Sequence, residues 1–435
     1  MKFMSGKIRI TAALLVLALS VLALSSCYSV DLGQLSGASG SNNSSDYITR
    51  DEAEELLSGS DKEYTINSGD NYNVTINSNG GTGLIAASRA LLSAVSITCL
   101  FNVTVNPYYG SSYTTEKSSA GAGVIYQLDK DKGNAYIITN YHVVYCSGAD
   151  TADDISDNIS VYLYGMEYSN YAIEAEYIGG SQNYDIAVLK VTNSAQLRRS
   201  NAAAATFADS NKVSVLETAI AIGNPEANGI SATVGAVNVD SENLTMTSID
   251  GKGKVTLRVM RIDAAVNGGN SGGGLFNDKG EVIGIVNAKM SASTIDNIGY
   301  AIPSNVAKYV ADNIIYYDNV SSENDSVYRI LIGVNVAIHS ARAEYDTETG
   351  KVLKVEEVMV DTVVAGGASA GKLQSGDIIR YVMIDGVKYD IVRTFNVVDV
   401  MLTARPGSTV IFVVDRAGTT VEVQIDITGV TPTKY

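Results

Sequence analysis

From Ile85 onward the chain repeats one pattern, a short apolar run followed by turn-forming residues. The first runs are AVSITCLFNV (94–103), GAGVIYQL (121–128), NAYIITNY (134–141), NISVYLY (158–164) and YDIAVLKV (184–191). TAIAIG (218–223), ATVGAVNV (232–239), VTLRVMRI (255–262) and EVIGIVNA (281–288) continue it. Runs of this length, separated by turns at regular spacing, predict an all-β barrel or sandwich. DKG (131–133) and NDKGE (277–281) supply hairpin turns. One segment departs from the pattern: PSNVAKYVADNIIYY (303–317) has helical periodicity, with Ser304 placed to cap it.

A second unit begins near Tyr328. It holds RILIGVNVAI (329–338), KVEEVMV (354–360) and SGDIIRYVMIDG (375–386), then a helical stretch FNVVDVMLTA (395–404). Two further strands lie at 408–416 and 419–427, and polar DNVSSEND (318–325) links the two units. A length of 435 residues accommodates two to three domains. The boundaries expected are a β domain over 84–318 and a small α+β domain over 328–428.

The N-terminal stretch reads differently. Lys2, Lys7 and Arg9 precede an apolar run from Ile10 to Leu24, and LSSC (24–27) comes next. A basic region, an apolar core and small residues before a cut site make an export signal over 1–26. The apolar run is short for a bilayer span. Cys27, directly after the small residues, resembles the bacterial lipobox, which implies a lipidated cysteine opening the mature chain. Residues 27–83 are rich in Ser, Asn, Gly and Asp. They bury too little apolar surface to offset the entropy of ordering, and predict a flexible polar tether with a short helix at DEAEELL (51–57). In an exported chain Cys99 and Cys146 leave two readings open, a bridge pinning the His142 loop or two buried free thiols.

Charge and histidine count exclude some functions. A net charge of −16 repels phosphate backbones, so no nucleic-acid partner is expected. The two histidines, His142 and His339, lie far apart and outside any zinc-binding spacing, so no metal and no cofactor is expected. DKDKGN (129–134) begins like a calcium loop, but Asn140 stands where that loop needs a glutamate; a hairpin turn explains it better.

The chemistry centres on NGGNSGGGLFN (267–277). A serine hydroxyl is a poor nucleophile without a neighbouring base. It also needs donors aimed at the oxygen that becomes negative when a carbonyl is attacked. With glycine two places before Ser271, the N–H groups of Gly269 and Ser271 can converge, with Asn270 between them as part of an oxyanion hole. A phosphate-binding loop would need Gly-Lys-Ser/Thr where Leu275 and Phe276 stand. His142 comes just after an apolar strand, a rigid place from which to present a base, whereas His339 lies on a strand of the second unit and reads as structural or surface. Asp185 heads an apolar strand, where a carboxylate is out of place unless it caps a turn or pairs. His142, Asp185 and Ser271 together supply base, orienting group and nucleophile.

These segments resemble the trypsin-like serine proteases, and within them the bacterial HtrA (Deg) family. The resemblance rests on GAGVIY (121–126), ITNYHVV (138–144), YDIAVLKV (184–191), IGNP (222–225), NGGNSGGGLFNDKGEVIGIV (267–286) and IGYAIPSNV (298–306). The second unit is similar to the PDZ domain found C-terminal to the protease domain in that family, through LIGV (331–334), LQSGDIIRYVMIDG (373–386) and RPGSTVIFVVDRAG (405–418). The resemblance implies a mainly β, chymotrypsin-like domain of two six-stranded β-barrels with the triad in the cleft between them. It implies a specificity pocket near Ala288, Ile298, Gly299 and Tyr300 that takes small aliphatic side chains. In the PDZ unit it implies that Leu331, Ile332, Gly333 and Val334 capture peptide C-termini.

The function implied is a membrane-tethered endopeptidase acting on misfolded or unfolded exported proteins, assembled as a homotrimer or larger and lipid-anchored at the bacterial cell membrane or envelope. A catalytically silent PDZ-containing scaffold is the alternative, and the complete His142, Asp185 and Ser271 set argues against it. A surface adhesin would explain the lipobox and tether but leave these three residues without a purpose.

Overall fold

The computed structural model describes residues 64–68, 72–76, 88–105, 111–151, 153–167, 169–225, 229–288, 298–320, 325–347 and 349–435. The export signal, Cys27 and the helix expected at 51–57 lie outside the described residues. Within the stretch expected as a structureless tether, Tyr64–Ser68 and Tyr72–Ile76 pair as an antiparallel hairpin. No helix among the described residues is long and apolar enough to cross a membrane.

The mainly β expectation holds. The first barrel uses β1 (Ala94–Val105), β2 (Tyr113–Asp129), β3 (Asn134–Thr139), β4 (Asn158–Leu163), β5 (Ile173–Ser181) and β6 (Ile186–Val191). They close in the order β1-β2-β3-β6-β5-β4. A second closed ring uses β7 (Thr218–Gly223), β8 (Ser231–Thr247), β9 (Lys254–Ile262), β10 (Gly274–Phe276), β11 (Val282–Val286) and β12 (Gly299–Pro303), in the order β8-β9-β12-β11-β10-β7.

The strand pattern reflects which faces are buried. Alternate residues Val95, Ile97, Cys99, Phe101 and Val103 of β1 enter the first barrel core, the period of two that a pleated strand imposes. The run IAVLKV of β6 is almost wholly apolar because both its faces are covered. Ala187, Leu189 and Val191 face the first core. Ile186 and Val188 join an outer cluster with Ile222, Phe276 and Ile285 of the second barrel.

Helix α1 (Ser304–Val320) lays Val306, Val310 and Ile314 on that same outer cluster. It runs past the expected end at 317. The expected Ser304 cap is corrected: its hydroxyl donates to the Ala208 carbonyl at 2.7 Å, tying the helix start to the second barrel.

The strands that follow α1 form two further sheets, one of two strands and one of six. β13 (Tyr328–Arg329) pairs with β20 (Thr433–Lys434), beyond the boundary expected at 428. β14 (Val334–Asp346), β15 (Lys351–Val363), β16 (Ile378–Ile384), β18 (Val410–Arg416) and β19 (Thr419–Ile425) lie side by side in that order, with β17 (Val387–Asp390) on β16. Helix α2 (Thr394–Val400) covers the sheet, ending earlier than the expected 395–404. Leu402 and Thr403 donate instead to carbonyls three residues back, the tighter turn that ends many helices.

This unit is docked on the barrels by Leu402, which is buried in the outer cluster, and by polar contacts. Arg258 of β9 meets Asp399 of α2 at 2.7 Å, and Arg393 bridges Asp240 and Glu356 at 2.7 and 3.1 Å. Buried Asn313 of α1 donates to the carbonyls of Tyr328 and Leu402 and accepts from the Tyr328 N–H, each at 2.9 Å.

Candidate active site

His142 lies in a single helical turn, Tyr141–Val144, directly after β3. Its Nδ1 lies 2.7 Å from Asp185 Oδ2, and its backbone N–H donates to Oδ1 at 3.0 Å. A carboxylate at Nδ1 fixes the tautomer with the proton there, leaving Nε2 free to accept one. Both side chains are 12% exposed, so little water competes for the pair.

Asp185 ends the turn between β5 and β6 at φ 49°, a left-handed conformation that costs a non-glycine residue about 1–2 kcal/mol. Neighbours hold it there. Asn140 donates its side-chain N–H to the Asp185 carbonyl at 2.8 Å, and Asn287 donates to Oδ2 at 2.6 Å. Such strain, over-determined by surrounding bonds, is typical of functional sites.

Ser271 sits in the glycine-rich loop before β10, wedged between the barrels. Its carbonyl accepts from Ala122 N–H of the first barrel at 2.8 Å, while Gly272 N–H donates to Val286 of the second at 3.0 Å. The two glycines after it are required sterically. A Cβ on Gly272, at φ 84°, would lie 2.2 Å from Thr139 Oγ1, and one on Gly273 would lie 2.1 Å from the Ile222 carbonyl. Thr139 in turn donates to the Ala122 carbonyl at 2.7 Å, tying the Ser271 loop to the strand that ends beside His142.

The two halves meet again at a dipeptide. Asn287 bonds Asp185, and the next residue, Ala288, donates its N–H to Ser271 Oγ at 3.1 Å. The hydroxyl rests on Ala288 and makes no hydrogen bond to His142. Gly269, at φ 93°, and Ser271 have N–H groups that donate to no backbone carbonyl among the described residues. The Asn270 N–H, by contrast, is used on the Asn267 carbonyl at 3.0 Å, so the free donors are the two that flank it.

The hairpin of β8 and β9 roofs the pair. Met246, Thr247, Ile249, Val255 and Leu257 enclose with His142, Gln182 and Asp185 a void of about 20 Å³. Ile249 packs against the first barrel core, so the second barrel reaches across the cleft and screens the dyad from water.

Of the expected pocket residues, Ala288 touches Ser271, and Tyr300 accepts from the Asn287 N–H at 2.8 Å. Gly299 pairs with Ile262, and Ile298 is half-buried beside it. Leu331 to Val334 lie far along the chain, at the start of β14. His339 is exposed there, on a strand of the second unit. The DKDKGN segment forms the hairpin turn between β2 and β3, with Asp129 accepting from the Lys132 N–H at 3.1 Å. No group of three or more metal-ligating side chains occurs among the described residues. Asn140 and Asn287, the two amides that hold Asp185, carry no signal in the sequence pattern beyond their adjacency to motif residues.

Residues 121–285 match the Trypsin-like peptidase domain family. The chain is 33% identical over 287 residues to the serine protease Do-like HtrA of Lactococcus lactis subsp. lactis, covering 63% of each chain. It is 37% identical over 206 residues to the Bacillus subtilis protein of the same name, covering 47% of this chain and 41% of that one. A probable periplasmic serine endoprotease DegP-like of Chlamydia trachomatis is 31% identical over 71% of this chain and 54% of its own length. The chain thus spans less than two thirds of the length of these curated relatives. His142, Asp185 and Ser271 all lie within the matched stretch, so residues 121–285 are similar to trypsin-like peptidase domains and the chain is similar to HtrA and DegP-like serine proteases.

Proposed function

We propose that the chain is a serine endopeptidase acting through His142, Asp185 and Ser271. One observation carries the reading: neighbouring residues Asn287 and Ala288 bond Asp185 and Ser271 respectively, so base, orienting carboxylate and nucleophile share one hydrogen-bonded frame. In the first step the Ser271 hydroxyl leaves the Ala288 N–H and passes its proton to His142 Nε2 as its oxygen bonds a peptide carbonyl carbon. The free N–H groups of Gly269 and Ser271 bind the resulting oxyanion. Asp185 stabilises the imidazolium, which protonates the leaving amine as the C–N bond breaks. Water then attacks the acyl-enzyme with His142 again as base, restoring the serine.

The finer assignments belong to the same reading. Substrates are misfolded or unfolded exported proteins; action outside the cytoplasm fits the printed name of the chlamydial relative, a probable periplasmic serine endoprotease. The specificity pocket is lined by Ala288, Ile298, Gly299 and Tyr300. The second unit is a PDZ domain whose Leu331–Val334 loop receives peptide C-termini. In support, the N–H groups of Leu331, Ile332 and Gly333 donate to no backbone carbonyl among the described residues, and Leu331 is 52% exposed. Cys27 is lipidated, and the protein works as a homotrimer or larger at the envelope.

A fluorophosphonate probe tests the core of this reading. It should modify Ser271 in the wild-type chain, and Ser271→Ala or His142→Ala should abolish both labelling and casein cleavage with the fold intact. Labelling elsewhere, or cleavage retained in Ser271→Ala, refutes it. Cys27→Ala should release the protein from membranes in fractionated cells.

A further inference from the structure

The turn that carries Asp185 is gripped from outside by a distant segment. Thr433–Lys434 pairs antiparallel with Tyr328–Arg329, and the Tyr435 N–H donates to the Val327 carbonyl at 2.8 Å. Side chains then hold Lys434 and Tyr435. Asp325 pairs with Lys434 Nζ at 3.1 Å. The Arg329 guanidinium lies 4.3 Å over the Tyr435 ring, and the Tyr184 ring stands 5.5 Å from it. Ser181 Oγ donates to the Tyr435 carbonyl at 3.0 Å.

Ser181 and Tyr184 bracket the turn that ends at Asp185, so the segment rests on the residue next to the carboxylate. The connector beneath it is fixed to the same strand end: Gly180 N–H donates to the Asp325 carbonyl at 3.1 Å, and Gly180 and Ser326 form a parallel bridge. A cleft of about 710 Å³ opens alongside Lys434 and Tyr435; its lining includes Tyr141 and Tyr177, and Asp153, Asp154, Asp250 and Asp325 outnumber Lys252 and Lys254 there, which suits a basic-aromatic occupant.

We propose that Asp325, Val327–Arg329, Ser181 and Tyr184 form a peptide seat. Its ligand is an extended segment carrying a basic and then an aromatic residue, and the chain fills it with its own Thr433–Tyr435. Occupancy braces the Asp185 turn. The bracing arm rests on the active-site reading above; the seat itself does not.

The test uses a chain lacking Thr433–Tyr435 in a Ser271→Ala background, so that no cleavage intervenes. Fluorescein-labelled Val-Thr-Pro-Thr-Lys-Tyr, the sequence of 430–435, is titrated up to about millimolar, the effective concentration a short tether supplies. The shortened chain should show saturable anisotropy, the uncut Ser271→Ala chain about tenfold weaker binding because its seat is filled. Alanine in place of the peptide's lysine or tyrosine should weaken binding. Equal binding by both chains, or none by a shortened chain whose circular dichroism is native, overturns the seat. In the Ser271-bearing background, shortening should slow fluorophosphonate labelling and added peptide should restore it. An unchanged labelling rate overturns the bracing role. If the uncut chain itself fails to label, the active-site reading fails while the anisotropy result still decides the seat.

Discussion

Asn287 donates to the same Asp185 oxygen that faces His142 Nδ1, at 2.6 Å against 2.7 Å. The amide thus shares the carboxylate with the imidazole and fixes its plane. A hydrogen bond to a charged group contributes about 1.5–3 kcal/mol, which corresponds to about 10- to 160-fold in rate if it acts only on the reacting arrangement. Asn287→Ala should therefore lower kcat/KM and the fluorophosphonate labelling rate by that factor with little change in KM. An unchanged rate would show that His142 alone suffices to orient Asp185.

This contact also marks the limit of what the sequence made legible. The barrel strands were readable because burial writes itself into local pattern: period two in β1, a nearly unbroken apolar run in doubly covered β6. Ser271 was readable because its loop needs glycines where backbones approach within van der Waals distance. Asn140 and Asn287 reach Asp185 from 45 and 102 residues away, and no local periodicity encodes a partner at that separation. The roofing hairpin was half legible. ATVGAVNV reads as strand, but β8 continues through polar SENLTMT to Thr247, held by the Glu242–Arg261 pair and the Thr245–Thr256 hydroxyl bond across the hairpin. Those cross-strand bonds support residues that composition alone assigns to a loop.

The two cysteines of the barrel unit are free thiols with different environments. Cys99 is buried in the first barrel core, and burial pushes its thiol up to about 12, so almost no thiolate exists at neutral pH. Cys146 is half-buried at the edge of that core. A water-soluble maleimide, with the modified peptides then mapped, should modify Cys146 first and reach Cys99 only on unfolding. Comparable rates at both in the native protein would mean the core opens far more readily than its packing implies.

Acid should weaken the second unit through Asp377. Burial pushes this carboxyl up, but the bidentate Arg416 guanidinium, at 2.7 Å to each oxygen, and the Gln374 N–H at 2.9 Å outweigh it. Its folded value is therefore lowered below the ordinary 3.8. A lowered carboxyl adds stability that is present above the unfolded value and lost as pH falls through the folded one. Urea denaturation at about pH 6 and about pH 3 should show Asp377→Asn costing about 1–3 kcal/mol at the higher pH and less at the lower. A cost independent of pH would mean the pair contributes through packing rather than charge.

The ion pair between Arg258 and Asp399 is a buried contact between the barrels and the second unit. Both side chains are at most 10% exposed, and burial is the larger influence on each, pushing the Asp399 carboxyl up and the Arg258 guanidinium down while the partner's charge opposes it. Taking both charges out of water offsets most of their attraction, so the pair adds little net stability, yet removing one strands the other at about 3–5 kcal/mol. Asp399→Ala alone should lower the unfolding temperature and expose the contact to proteolysis. Arg258→Met with Asp399→Leu should recover most of the loss, because methionine keeps the side-chain stem against Phe395, now 3.8 Å from the guanidinium. Calorimetry of the two single variants and the double variant measures the coupling directly. If the double variant loses as much as Asp399→Ala, the charge pair itself holds the units together, and the desolvation argument is wrong for this site.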